Sequence, residues 1–141
     1  MKLSAKLGII VSTLAIAACA PRDTTHHLSI SQALKSPEAA EVLNPNIKLY
    51  FGTPAPGKVL IANAVTNKKT NAANKSDEKA CQWVFLSAVK QLQDKAASKG
   101  ATKVGNIVSY YKKNTFKSRT EYECHAGNII SGVALKGDIV K

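Results

Sequence analysis

Residues 76–124 read SDEKACQWVFLSAVKQLQDKAASKGATKVGNIVSYYKKNTFKSRTEYEC, and this stretch decides the fold. Ser76 is a helix cap, and Asp77 and Glu78 complement the positive end of the helix that follows. Lys79 stands where a capping-box Glu would stand, so the cap is incomplete. Cys81, Val84, Phe85, Ala88, Val89, Leu92 and Ala96 then recur at the spacing of one buried helical face. Gln82, Lys90, Gln93, Asp94 and Lys95 fall on the wet side, and Trp83 lies off the centre of the stripe, at the rim of the core or exposed. Gly100 ends the helix as a left-handed cap.

Val104–Tyr110 reads as an apolar strand, Lys112-Lys113-Asn114 as a turn, and Arg119–Cys124 as a half-exposed strand with Thr120, Tyr122 and Cys124 on one face. Ile129–Ala134 continues as a strand, and Gly137 interrupts the tail. Upstream, Ile47–Phe51 and Val59–Thr66 read as two more strands, separated by the Pro- and Gly-rich turn Gly52–Gly57. Ser29 or Ser31 caps a short turn, and Ser36-Pro37 opens a second short helix. The expected class is α+β: a mostly antiparallel sheet of about five strands with one long helix across it, preceded by short helices.

Cysteine usage fits an exported protein. The chain has three, Cys19, Cys81 and Cys124. Met1–Ala18 reads as a signal peptide: Lys2 and Lys6 form a basic start, and Leu7–Ala18 an apolar run too short to span a bilayer. Ile16-Ala17-Ala18-Cys19 resembles a lipobox, which would make Cys19 the lipidated (diacylated and palmitate-type) N-terminus and tether the chain to a membrane. Ordinary cleavage after Ala17 is the rival. Ala20 after Cys19 favours the outer membrane, where a host sorts lipoproteins as enteric bacteria do. Residues 19–28, with His26-His27, read as a linker, and residues 29–141 as one domain.

That leaves Cys81 and Cys124 as an even pair, read as a disulfide between helix and sheet. The rival is a thiol or redox protein using Cys81, which a helix N-terminus would activate if it were free. No Cys-x-x-Cys is present, and His125 points away from its neighbour Cys124 on a strand.

Other chemistry is sparse. Gly127–Gly132 has the glycine spacing of a P-loop, but Val133-Ala134 replace the Lys-Ser/Thr that hold phosphate and Mg²⁺. Acidic residues number 9 and none pairs for acid–base work, so an enzyme is not expected, and no cofactor or metal is called for. The formal charge of +11 comes almost wholly from lysine. It suits attraction to an anionic surface or an envelope protein. Nucleic acid is disfavoured, since Arg22 and Arg119 are the only arginines. Asn67–Lys75, with Asn67, Lys68, Lys69, Asn71 and Lys75, reads as a polar loop and a possible binding loop.

Lys69-Thr-Asn-Ala72, Lys75-Ser-Asp-Glu78, Cys81-x-Trp83-x-Phe-Leu-Ser-Ala88, Tyr122-Glu-Cys-His-Ala-Gly127 and Gly132–Gly137 together resemble a family of small exported proteobacterial proteins, over roughly Arg22–Lys141. Its members often carry the name "excinuclease ATPase subunit", which these residues do not support. The resemblance implies export, with plain signal peptides common, and brings no biochemical activity. More remotely, the helix followed by Lys99-Gly-Ala-x-x-Val104 and a Cys-bearing strand is similar to the Rcs envelope-stress sensor lipoprotein. The reading is a non-enzymatic, disulfide-stapled envelope (lipo)protein that binds another envelope component.

Overall fold

The computed structural model describes residues 22–141; the expected signal peptide 1–18 and the expected lipidation residue Cys19 lie outside the described residues. The elements in chain order are β1 (Thr24–Ser29), α1 (Ile30–Leu34), α2 (Pro37–Val42), β2 (Lys48–Phe51), β3 (Val59–Asn71), α3 (Asp77–Ser98), β4 (Lys103–Ser109), β5 (Glu121–Ala126) and β6 (Ile130–Val140). The fold is α+β, a mostly antiparallel sheet curled around one long helix.

β6 organises the sheet. Along one edge it pairs with β3 from end to end. Along the other it pairs first with β5, at Ser131 and Gly132, and then with β4, from Leu135 to Val140. β1 adds antiparallel to the outside of β5, and β2 adds parallel to β4. The curl is sharpened where β3 and β4 each carry a register shift. Asn63 and Asn106 take left-handed backbone there, which Asn tolerates better than most residues. Asp138 of β6 ties both irregularities, accepting from the Asn63 amide at 2.9 Å and the Asn106 side chain at 2.8 Å.

α3 runs 22 residues and starts as the sequence requires, with the Ser76 hydroxyl accepting from the Lys79 amide. It stops in a Schellman turn. Gly100 has φ +68°, and the amides of Gly100 and Ala101 donate to Ala97 and Ala96. The buried stripe Cys81, Val84, Phe85, Ala88, Val89, Leu92 and Ala96 packs against Val104, Ile107, Tyr122, Cys124, Val133, Leu135 and Ile139 of the sheet. At roughly 1.5–3 kcal/mol per buried large apolar side chain, this interface is the main source of cohesion.

Four expectations change. Residues 24–28 are not linker but most of strand β1, in register with β5 from Thr24↔Ala126 to Ser29↔Glu121. Composition hid this, because β1 is a polar edge strand. Asn67–Asn71 is not loop but the far end of β3, so the strand count rises from five to six through β1 alone. Gly137 does not interrupt the tail: β6 runs through it, and a Cβ there would meet Val104 Cγ1 at 2.9 Å. Gln93 is not on the wet side. It is 2% exposed, donates to the carbonyls of Asn44 and Ile47, and accepts from the Asn44 amide. One amide side chain thus fixes the turn between α2 and β2.

Among the described residues no helix is long and apolar enough to cross a membrane.

Candidate functional site

Cys81 and Cys124 form a disulfide, with Cα atoms 5.9 Å apart and a sequence separation of 43. Both are 0% exposed. The helix stripe delivers Cys81 and the alternation of β5 delivers Cys124, so the bond joins the two layers. Beside it Phe85 stacks on Tyr122, with ring centroids 3.9 Å apart. Burial raises the Tyr122 hydroxyl pKa, with a smaller push from the charge of Glu78. The bond uses both sulfurs, so neither is a thiol in this state.

The residues of the expected binding loop are divided by the strand they occupy. Asn67, Lys69 and Asn71 project from the exposed face of β3, while Lys68 is half-buried on the face toward α3. Lys75 lies in the following turn, where its ammonium donates to the Asn71 carbonyl at 3.2 Å. The Asn71 side chain accepts from the Ala73 amide and shapes that turn.

Lys68 and Lys75 meet again around Trp83. Trp83 is 44% exposed, the one tryptophan of the chain, and stands between two clefts. Lys75, Lys79, Gln82 and Glu38 line one cleft, and Lys68, Lys90, Gln91 and Asp94 line the other. The helical period explains the convergence: Lys79, Trp83, Ser87 and Lys90 share one face of α3 at i, i+4, i+8 and i+11. β3 brings Lys68 across from the sheet. Lys90 is paired with Asp94 at 3.0 Å. Among the described residues Lys68, Lys75 and Lys79 form no ion pair. An exposed indole between clefts that hold the unpaired Lys68, Lys75 and Lys79 beside Glu38 suits a partner with an anionic group and an apolar or planar part. It offers no nucleophile–base pair.

Polar side chains tie β1 on both of its faces: Arg22, His26 and Asp77 on the side of α3, and His27, Glu123 and His125 on the outer side. Arg22 makes a two-pronged pair with Asp77, each contact 2.8 Å, and His26 meets the same carboxylate at 2.8 Å. These contacts hold Asp77 far below the usual carboxylate range, Arg22 contributing first and His26 second. Arg22 also donates to the Gly127 carbonyl and the Asn128 side chain. Glu123 lies between His27 at 3.3 Å and His125 at 3.1 Å, and His125 reaches Asp23 at 3.1 Å with its other nitrogen. His27 stacks on Phe116 and His125 on Tyr111. Among the described residues no group of His, Cys, Asp or Glu is placed to hold a metal ion.

Sequence reading missed these contacts. The one signal available was the alternation of β5, which places Glu123 and His125 on the face opposite Cys124; no local pattern announces the strand that pairs with it.

No family model, curated protein or solved structure matches this chain.

Proposed function

We propose that this chain is a non-enzymatic envelope protein, exported, anchored to a membrane through a lipidated Cys19, and engaged there with an anionic envelope component. The observation that carries the binding role is the half-exposed Trp83 set among Lys68, Lys75 and Lys79. An indole ring of this exposure forgoes part of its burial free energy, roughly 25 cal/mol per Å² of apolar surface left in water, and a docked partner recovers it. The surrounding charge sets partner sign and speeds encounter, with a strength that falls as salt rises. The disulfide supports the reading by keeping α3, and so the face it displays, fixed to the sheet outside the reducing cytoplasm.

The test is a photo-crosslinking side chain placed at position 83 in intact cells, with a second probe at Leu60 as control. The expected outcome is a discrete adduct from position 83 only, lost when Lys68→Glu and Lys79→Glu are combined. Identical adducts from both positions, or none from position 83, would refute the assigned face. Mass spectrometry of the mature N-terminus tests the anchor: a start at an acylated Cys19 supports it, and an unmodified start at Ala18 removes it.

A further inference from the structure

We propose that the tip of the β5–β6 hairpin, Ile129 and Ile130, is a membrane-contact surface that enters the bilayer interface beside the anchored N-terminus. The inference rests on the lipid-anchor reading above, and extends it from a tether to an orientation of the whole domain.

Ile129 and Ile130 are 68% and 54% exposed and adjacent in sequence; Val65 is 58% exposed, and Val59, Leu60 and Trp83 are less exposed than either isoleucine. Scattered exposed hydrophobics are ordinary, so exposure alone decides nothing. Three further observations set this pair apart. First, the tip is a firm display. The Gly127 amide donates to the Ile130 carbonyl at 2.8 Å, and the Ala72 amide donates to the Ile129 carbonyl at 2.7 Å. The isoleucines are thus held out by backbone hydrogen bonds on both sides.

Second, Arg22, three residues after Cys19 in sequence, is held at this tip. Arg22 is fastened to Asn128 at 3.0 Å, to the Gly127 carbonyl at 2.9 Å and to Asp77 at 2.8 Å. Cys19 precedes Arg22 by three residues, a span of at most about 11 Å. An acyl group on Cys19 would therefore hold this end of the domain, and no other, against the lipid.

Third, lysines stand behind the tip, while the carboxylates nearest it are already engaged, Asp77 by Arg22 and Asp23 by His125. Lys69 pairs with Gly132 across β3 and β6, and the Lys75 ammonium is held at the carbonyl of Asn71, the residue paired with Ile130. Apolar side chains at the point and lysines one step behind them match a surface of acyl chains beneath anionic headgroups.

The opposite end of β3 supplies an internal control. Leu60 is 36% exposed but lies eleven residues from Asn71, about 30 Å or more up the strand.

The experiment uses the full chain purified from the envelope and reconstituted into vesicles of phosphatidylethanolamine and phosphatidylglycerol with brominated acyl chains, which quench only tryptophans in contact with them. Two reporters are compared in a Trp83→Phe background, Ile130→Trp and Leu60→Trp. Loss of fluorescence for Ile130→Trp with none for Leu60→Trp supports the proposal. An acylated, vesicle-bound protein whose Ile130→Trp is unquenched overturns the tip and leaves the anchor standing. Equal quenching at both positions also overturns it, since it shows no orientation. An unacylated N-terminus removes the anchor; the tip then survives only if Ile130→Trp is still quenched, and falls if it is not.

Discussion

β5 has two faces, and the molecule uses them in opposite ways. Tyr122 and Cys124 point inward, 2% and 0% exposed, one stacked on Phe85 and the other bonded to Cys81. Glu123 and His125 point outward into a layer of charge and stacked rings, where Tyr111 and Phe116 arrive from the segment between β4 and β5. The inner face coheres by burial and one covalent bond. The outer face coheres by several contacts that each contribute about 1 kcal/mol or less. The difference teaches where this domain is strong and where it is adjustable: α3 and the sheet are locked together, while β1 is laid on with weak, polar ties.

The largest expected effect comes from opening the inner face. Replacing Cys81 and Cys124 together by Ala removes a cross-link with a sequence separation of 43, worth about 4 kcal/mol in the chain-entropy account. Urea unfolding, with and without reductant, measures it. If the double variant and the reduced protein unfold at the oxidised protein's midpoint, the bond is not what sets the inner face apart.

Next in size is a polar exception on the inner side. Gln93→Leu keeps the volume but leaves two carbonyls and one amide around residues 44–47 without their partner. The expected cost is about 2–3 kcal/mol, read from the same unfolding curves. A neutral result would show that the turn between α2 and β2 is held by other contacts.

The inner face was legible in the sequence for a physical reason. Burial imposes a period, 3.6 on α3 and 2 on β5, and both cysteines fall on the buried phase of their elements. Capping was equally readable, since Ser36, Ser76 and Gly100 act within a few residues of themselves. β1 and the polar contacts on its two faces were not legible. His26 and His27 are polar residues in a polar stretch, and they form a strand only because β5 offers them an edge a hundred residues away. Gln93 failed for the same reason, its partners lying 46 to 49 positions upstream. The candidate binding residues were half legible: their types suggested a basic contact surface, but strand pairing with β6 sends Lys68 toward Trp83 and Lys69 to the opposite face.

A smaller effect is expected on the outer face. Glu123→Gln removes the carboxylate shared by His27 and His125, at a cost of about 1 kcal/mol. The sharper readout is local. Amide exchange should quicken in β1 while α3 keeps its protection, because β1 is an edge strand paired with β5 alone and opens without the core. If exchange quickens equally in α3, the two faces of β5 are one cooperative unit and the contrast drawn between them fails.

The smallest effect, and the one with a defined pH signature, belongs to Asp77, which ties β1 and the start of α3 together. Its folded-state pKa is depressed, first by the hydrogen bonds from Arg22 and then by those from His26. The unfolded carboxyl titrates near about 3.9. A depressed folded value means the unfolded chain takes up a proton first, so the stabilising contribution is whole above about pH 4 and is lost as acid carries the solution down toward the folded pKa. Asp77→Asn has no such proton to bind. The wild-type protein should therefore exceed the variant in stability at neutral pH, and the margin should shrink progressively below about pH 4. Salt should narrow it as well, since Arg22 and Asp77 are both partly exposed. A margin that did not shrink below about pH 4 would show that these contacts do not hold the Asp77 carboxylate.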